Sequence, residues 1–283
     1  MCAAGRVIGE IRTEDVWVLG VTAVGGKLYV LLWRDDNQVA VYSIDDYQLL
    51  RHINLPGLET DGDIDVTSCV RHKCLYVSDR CNSCIHRYGL STSKTGSLVK
   101  RMSSKRTSKW PVAGLPCGLS VTPGSCNLLV TCDHPTNKLV ELSADGGQTV
   151  REITLHSNIR RPHHAVQLTT GQVVVCYGVS SDELHRVCMV DHVKGRVTHS
   201  YGGQRGSDVR QLSCPRYLDA DEDSQFIIVA DHRNHRVLLL SPTLEFVHQF
   251  CEIVSYPRRL YFHQASRRLF VGHSGYLVTV IQL

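Results

Sequence analysis

Four cysteines, Cys69, Cys74, Cys81 and Cys84, fall within sixteen residues, and Cys81-Asn82-Ser83-Cys84 is a CxxC. Thiols so spaced suit a zinc site or a dithiol redox centre. Fifteen histidines include the neighbours His163-His164 and the pair His232/His235, the residue type that most often ligates metals and shuttles protons near neutrality. Arginines recur beside prolines, in Arg160-Arg161-Pro162, Pro215-Arg216 and Pro257-Arg258-Arg259. Guanidinium groups make charge-assisted, often bidentate bonds to phosphate or carboxylate. GxSxG, Walker-loop and HExxH patterns are absent, so no nucleophile elbow, phosphate cradle or zincin helix offers a catalytic centre. What these groups do depends on the elements that place them.

Those elements repeat. Short apolar, β-branched strands recur at Leu28-Tyr29-Val30, Leu75-Tyr76-Val77, Leu128-Leu129-Val130, Val173-Val174-Val175, Ile227-Ile228-Val229 and Leu269-Phe270-Val271. Their starts lie 47, 53, 45, 54 and 42 residues apart, a period that suits a four-stranded propeller blade. A helical repeat would need 3.6-residue periodicity, which is missing. Asp79, Asp133 and Asp231 each stand six residues before an apolar residue (Ile85, Leu139, Val237), and Trp33 and Val39 keep that spacing in the first copy. A carboxylate there can accept bonds from turn N–H groups, so these aspartates are read as structural rather than metal-binding.

The last copy supplies strands near 259–262, 268–272 and 277–282, one short of four. The N-terminal segment Val7 to Ile11 precedes the first copy's own inner strand near Val18 to Val24 and can supply the missing outer strand. Pairing the two ends removes an exposed sheet edge. The expected fold is therefore all-β, a six-bladed propeller closed by its N-terminal strand, forming a single domain over residues 1–283. Lys100 to Lys109 carries five basic residues and no acid, and a mobile basic loop is expected over about 91–110.

Aligned on the repeat, Cys81 and Cys84 fall in a hairpin turn at one blade end, and Cys69 and Cys74 flank the turn at the other. An extended strand, about 3.3 Å per residue, separates them, too far for four ligands on one ion. Three histidine ligands with a general base cannot be assembled either. No metal and no cofactor are expected. The twelve cysteines, with no export signal at Met1 to Glu10, are read as reduced thiols.

Ala230-Asp231-His232-Arg233-Asn234-His235-Arg236-Val237, preceded by Pro215-Arg216-Tyr217-Leu218, resembles the signature of NHL repeats. The segment from Asp79 to Ile85 keeps Asn82, and that from Asp133 to Leu139 keeps Asp133 and the basic Lys138. The resemblance covers nearly the whole chain by period and is strong by motif in the fifth blade. It implies the propeller of tripartite-motif NHL proteins, whose loop face binds protein partners or single-stranded RNA. Many such propellers belong to RING ubiquitin ligases, but no RING or B-box pattern of spaced Cys and His is present here. Zinc-dependent lyases on related propellers use channel histidines, and one of His163 and His164 is expected to face the channel.

Loops from each outer strand to the next inner strand share one face with the turns between second and third strands. That face reads acidic early, through Glu14, Asp15, Asp35, Asp36, Glu59, Asp61 and Asp63 with Arg34 among them. It reads basic later, through Lys138, Arg160, Arg161, Arg216, Arg233, Arg236, Arg258 and Arg259, opposed mainly by Asp182 and Glu183. The expected binding face comprises Arg160, Arg161, His163, His164, Arg216, Tyr217, Arg233, Arg236, Arg258 and Arg259, with Tyr217, Tyr256 and Trp110 as stacking rings. A bland alternative pairs Lys138 and Arg236 with turn aspartates and solvates the rest. The net charge of +4 is small for this length and does not by itself indicate nucleic acid. No apolar run is long enough to span a membrane, so a cytoplasmic, monomeric platform is expected. Its leading function is non-catalytic binding of a protein partner, as a recognition module in ubiquitin-dependent turnover. Single-stranded RNA binding and a metal-dependent lyase or lactonase are the alternatives.

Overall fold

The computed structural model describes residues 5–33, 38–59, 64–90, 106–250 and 255–283, the side chains of 106 and 107 excepted. The chain opens with β1 (Arg6–Arg12). Blade one follows as β2 (Val18–Val24), β3 (Lys27–Leu32), β4 (Gln38–Ser43) and β5 (Leu49–Asn54). Blade two is β6 (Val66–Cys69), β7 (Cys74–Asp79), β8 (Cys84–Gly89) and β9 (Arg106–Pro111). Blade three is β10 (Pro116–Val121), β11 (Leu128–Cys132), β12 (Lys138–Leu142) and β13 (Thr149–Thr154). Blade four is β14 (Pro162–Gln167), β15 (Val173–Tyr177), β16 (Leu184–Val190) and β17 (Val197–Gln204). Blade five is β18 (Pro215–Ala220), β19 (Ile227–Asp231), β20 (Arg236–Leu240) and β21 (Phe246–Phe250). Blade six takes β22 (Pro257–His263), β23 (Arg268–His273) and β24 (Leu277–Gln282), and β1 completes it.

Each sheet has four antiparallel strands, and the inner strands β2, β6, β10, β14, β18 and β22 touch in ring order. β1 pairs with β24 from Arg6↔Gln282 to Arg12↔Leu277, so the ring closes as the missing strand requires. The expected basic loop falls mostly on residues 91–105, outside the described residues. Its far end is corrected, because Arg106–Pro111 pairs with β8 as the outer strand of blade two.

The strands read as continuous apolar runs because both faces of each blade are covered. Alternate residues of β3 go to different cores: Leu28, Val30 and Leu32 pack toward blade six, Tyr29 and Leu31 toward blade two. β2 is buried throughout, whereas outer strands such as β5 and β13 keep Ile53 and Ile153 buried among exposed or half-buried neighbours. Burial of each large aliphatic side chain contributes roughly 1.5–3 kcal/mol. Trp110, expected as a stacking ring, is consumed by this packing: it is buried against Tyr76 with ring centroids 5.4 Å apart. No helix among the described residues is long and apolar enough to cross a membrane.

Candidate interaction face and axial channel

A β-bulge recurs at the start of the inner strands. Register slips between Pro116 and Gly118, Pro162 and His164, Pro215 and Tyr217, and Pro257 and Arg259. The extra residue at each slip is Cys117, His163, Arg216 or Arg258. A bulge frees one residue from the ladder and re-aims its side chain. The proline that opens each strand lacks the N–H a ladder would require there, which suits it to a strand's first position. Four successive blades thus present equivalent side chains at the same mouth of the ring. The proline-flanked arginines are one instance of this device.

The next residue in each strand turns into the channel and is buried. Gly118 leaves room for its neighbour, since a Cβ there would lie 2.4 Å from the His163 carbonyl oxygen. His164, Tyr217 and Arg259 instead build a plug with Asp65. The His164 and Tyr217 rings stack at 3.7 Å between centroids, and the Tyr217 hydroxyl donates to the Asp65 carboxylate at 3.2 Å. Arg259 Nε lies 3.4 Å from Asp65 Oδ1, while its Nη2 donates to the Ile64 carbonyl at 2.7 Å. The Leu119 N–H donates to the second Asp65 oxygen at 2.8 Å. Burial pushes the Asp65 carboxyl up to about 6 against the pull of Arg259 and these donors. Burial drives His164 down to about 3. A neutral ring fits its contacts, with Nε2–H donating to the Leu119 carbonyl at 3.0 Å and Nδ1 accepting from the Leu218 N–H at 3.4 Å.

His164, Tyr217, Arg236 and Arg259 of the expected binding face are drawn into buried contacts, though Tyr217 and Arg259 still line the floor of a rim cavity. All four are buried, and Arg236 donates to Asp231 Oδ2 at 2.8 Å and to the Gln211 carbonyl at 2.7 Å. The sequence pattern places them on the right face but is blind to which way a bulged strand turns each side chain. Arg160, Arg161 and Arg233 are exposed, and His163, Arg216 and Arg258 are half-buried. Arg161, His163 and Arg216 share a cavity of about 240 Å³ over the plug. Arg161 Nη2 lies 3.8 Å from Asp182, the acid expected to oppose it.

The turn aspartates divide their roles. Asp79 accepts the Asn82 N–H at 2.9 Å, as expected of a turn carboxylate. Asp231 instead holds the Ser213 N–H at 2.7 Å with the Asn234 and Arg236 side chains, and Asp133 binds both terminal nitrogens of Arg80 from the neighbouring blade. Lys138 pairs with Glu152 rather than a turn aspartate. Of the acidic sector, Glu14, Asp15 and Glu59 are exposed, and residues 34–36, 61 and 63 lie outside the described residues.

Sequence reasoning missed three rings on this same face, Trp17, Trp33 and Tyr276. Trp17 and Trp33 stand exposed in a T-shaped pair 6.1 Å apart, held by the Trp33 N–H bonded to the Trp17 carbonyl at 2.9 Å. His235 packs on the exposed Tyr256 at 3.8 Å, and Tyr276 is exposed between β23 and β24. The signal for Trp17, Trp33 and Tyr276 was their position in outer-to-inner or second-to-third loops, where apolar residues are not needed for the core.

Cys69 and Cys74 face each other at one end of blade two and Cys84 pairs with Asp79 at the other, so the four cysteines do not converge. A different trio does. Asp79, Cys84 and His86 are all buried with ligand atoms within 4.8 Å of one another. His86 Nε2 lies 2.8 Å from Asp79 Oδ2 and 3.5 Å from Cys84 Sγ. The donor types suit zinc, but Asp79 is already engaged by the Asn82 backbone and amide, and burial with the Asp79 charge pushes the Cys84 thiol up to about 11. The contacts work as a hydrogen-bonded clasp at the blade end.

Beyond the plug the channel widens into a cavity of about 580 Å³ on the opposite face. Its wall shows how inner-strand edges are satisfied by neighbouring blades. Ser68 and Tyr261 both donate to the Ala23 carbonyl, at 2.8 and 3.1 Å, and Ser120 donates to the Ala165 carbonyl at 2.8 Å. Asp219 accepts the Phe262 N–H at 2.5 Å and the Ala220 N–H at 2.8 Å, and burial raises its carboxyl to about 7.

Fold and site together define a six-bladed β-propeller, an architecture commonly used as a protein-interaction scaffold. Solved structures agree on the fold. The chain is similar to Kuenenia stuttgartiensis hydrazine synthase, with a TM-score of 0.62 and 12% identity over 96% of this chain and 97% of that one. It is similar to a Bacteroides caccae protein of unknown function, at 0.62 and 15% over 87% and 82%. The β-propeller domain of Cps50 (Swd1) from Myceliophteria thermophila gives 0.65 and 12% over 99% and 100%. Such identities speak to fold alone. No protein-family model and no curated protein matches the chain.

Proposed function

We propose that this chain is a non-catalytic platform whose arginine- and aromatic-bearing face holds a protein partner, as a cytoplasmic recognition module in ubiquitin-dependent turnover. The observation that carries the reading is the joint placement of Arg161, Arg216 and Arg258 with exposed Trp17, Trp33 and Tyr256 on one face. Trp, Tyr and Arg are the residues that dominate interface energetics, and here none of the three rings is needed by a blade core. The arginines favour an acidic partner segment. Membership of the NHL family belongs to this reading and rests on the resemblance of Asp231 to Arg236 in blade five.

A second reading is single-stranded RNA, favoured by the same rings, on which bases stack, and by guanidiniums that track phosphates. The deciding experiment is a pull-down and an oligonucleotide screen with Arg161, Arg216 and Arg258 changed to Glu, alongside Trp17→Ala. Loss of a partner with unchanged thermal unfolding supports the platform. A full set of partners retained by both variants sinks it.

A further inference from the structure

Two thiols from adjacent blades line the wide axial cavity away from the arginine face, and a third lies in the apolar cluster beside them. Cys69 ends β6 and Cys74 begins β7, directly opposed in the hairpin register. Cys126 comes from the turn between β10 and β11, in the next blade, and packs against the apolar cluster that contains the other two. Cys69 and Cys126 both line the cavity, and Cys126 is near enough to help raise the Cys69 thiol. Cys69 is buried and Cys126 half-buried, so an oxidant in the cavity reaches Cys126 first. Burial holds the Cys69 thiol above its ordinary range, which suits a resolving partner rather than the first attacker.

We propose that Cys69 and Cys126 form a reversible disulfide that staples blade two to blade three at the cavity rim, with a peroxide as oxidant. The Cys126 thiolate attacks one peroxide oxygen, the O–O bond breaks, and the departing hydroxide takes a proton to leave as water. The Cys126 sulfenic acid is then attacked by Cys69 sulfur, forming the S–S bond and expelling a second water. Two thiols lose two electrons in all, and one peroxide gains them. A small thiol such as glutathione reverses the link by exchange. Cys74 is the competitor, but a Cys69–Cys74 bridge would span one hairpin and join no blades.

The test uses the full chain with Cys81→Ser, which removes an exposed thiol that would otherwise cross-link molecules. Hydrogen peroxide is added, remaining thiols are alkylated, and tryptic peptides are sequenced without reduction. Arg71 and Lys73 separate Cys69 from Cys74, and fragment ions distinguish Cys126 from Cys117 and Cys132 on their shared peptide. The expected result is joint loss of alkylation at Cys69 and Cys126, a mass decrease of about 2 Da that dithiothreitol reverses, and a raised Tm. Cys126→Ser abolishes the link, and Cys74→Ser leaves it. A predominant Cys69–Cys74 bridge, or Cys69 and Cys126 both still alkylated once the methionines are oxidised, overturns the proposal.

Discussion

Asp65 of blade two and Arg259 of blade six face each other across the channel, with Oδ1 and Nε 3.4 Å apart and both side chains buried. Arg259 also holds the Ile64 carbonyl, so one guanidinium ties together blades that are not neighbours in the ring. Removing one partner of a buried pair leaves an uncompensated charge at a cost of about 3–5 kcal/mol. Arg259→Leu should therefore lower the urea midpoint sharply, and adding Asp65→Asn should recover part of the loss. A midpoint unchanged in Arg259→Leu would mean that the plug contributes nothing to stability.

Asp219 makes stability depend on pH in a direction opposite to most carboxylates. Its folded value of about 7 lies above the ordinary aspartate value of about 3.9. Between these the folded chain holds more protons than the unfolded one. The contribution is thus fully present below about pH 4 and is lost as pH rises through about 7. His164, held down at about 3, works the other way as pH falls below its ordinary 6.5. Comparing Asp219→Asn with the parent isolates the aspartate: the parent should lose stability from pH 4 to 8 relative to the variant in urea titrations. Parallel curves would contradict the assignment.

Deleting residues 1–12 removes β1, the outer strand of blade six, and with it Ile11 from the core between blades six and one. The exposed edge of β24 then becomes a template for association. A fall in Tm together with concentration-dependent aggregation is expected from scanning calorimetry and light scattering. An unaltered transition would mean that the ring does not depend on this closure.

The Asp79–His86–Cys84 clasp is expected to hold by hydrogen bonds without an ion. Cys84→Ser, which keeps a hydrogen-bonding group beside His86, should leave the fold intact, as should Cys81→Ser at the exposed turn position. Elemental analysis of purified protein should find far less than one zinc per chain. Stoichiometric zinc that disappears in Cys84→Ser would make the clasp a metal site.

Salt separates the two partner classes. If RNA occupies the arginine face, log affinity should fall linearly with log salt. Each of Arg161→Glu, Arg216→Glu and Arg258→Glu should then flatten the slope by roughly 0.7 for every phosphate it no longer neutralises. A protein partner anchored on Trp17 and Trp33 should show a shallower dependence and a larger drop in affinity with Trp17→Ala.

The sequence by itself determined the ring. Six apolar strands at blade spacing, proline-opened inner strands and a last copy one strand short point to one arrangement in which every blade has four strands, because period and alternation are local properties of the chain. It also determined which face carries the arginines, since topology assigns loops to faces. Only the tertiary structure decided which of those side chains are available. Arg258 and Arg259 are adjacent in sequence, yet one is half-buried at the rim and the other is buried against Asp65. The bulge that separates their fates follows the opening proline, but the proline does not say which of the next two side chains turns into the channel. The contact between Asp65 and Tyr217, and the packing of Cys126 against the cluster that holds Cys69, likewise form where the curvature of the closed ring brings separate blades together.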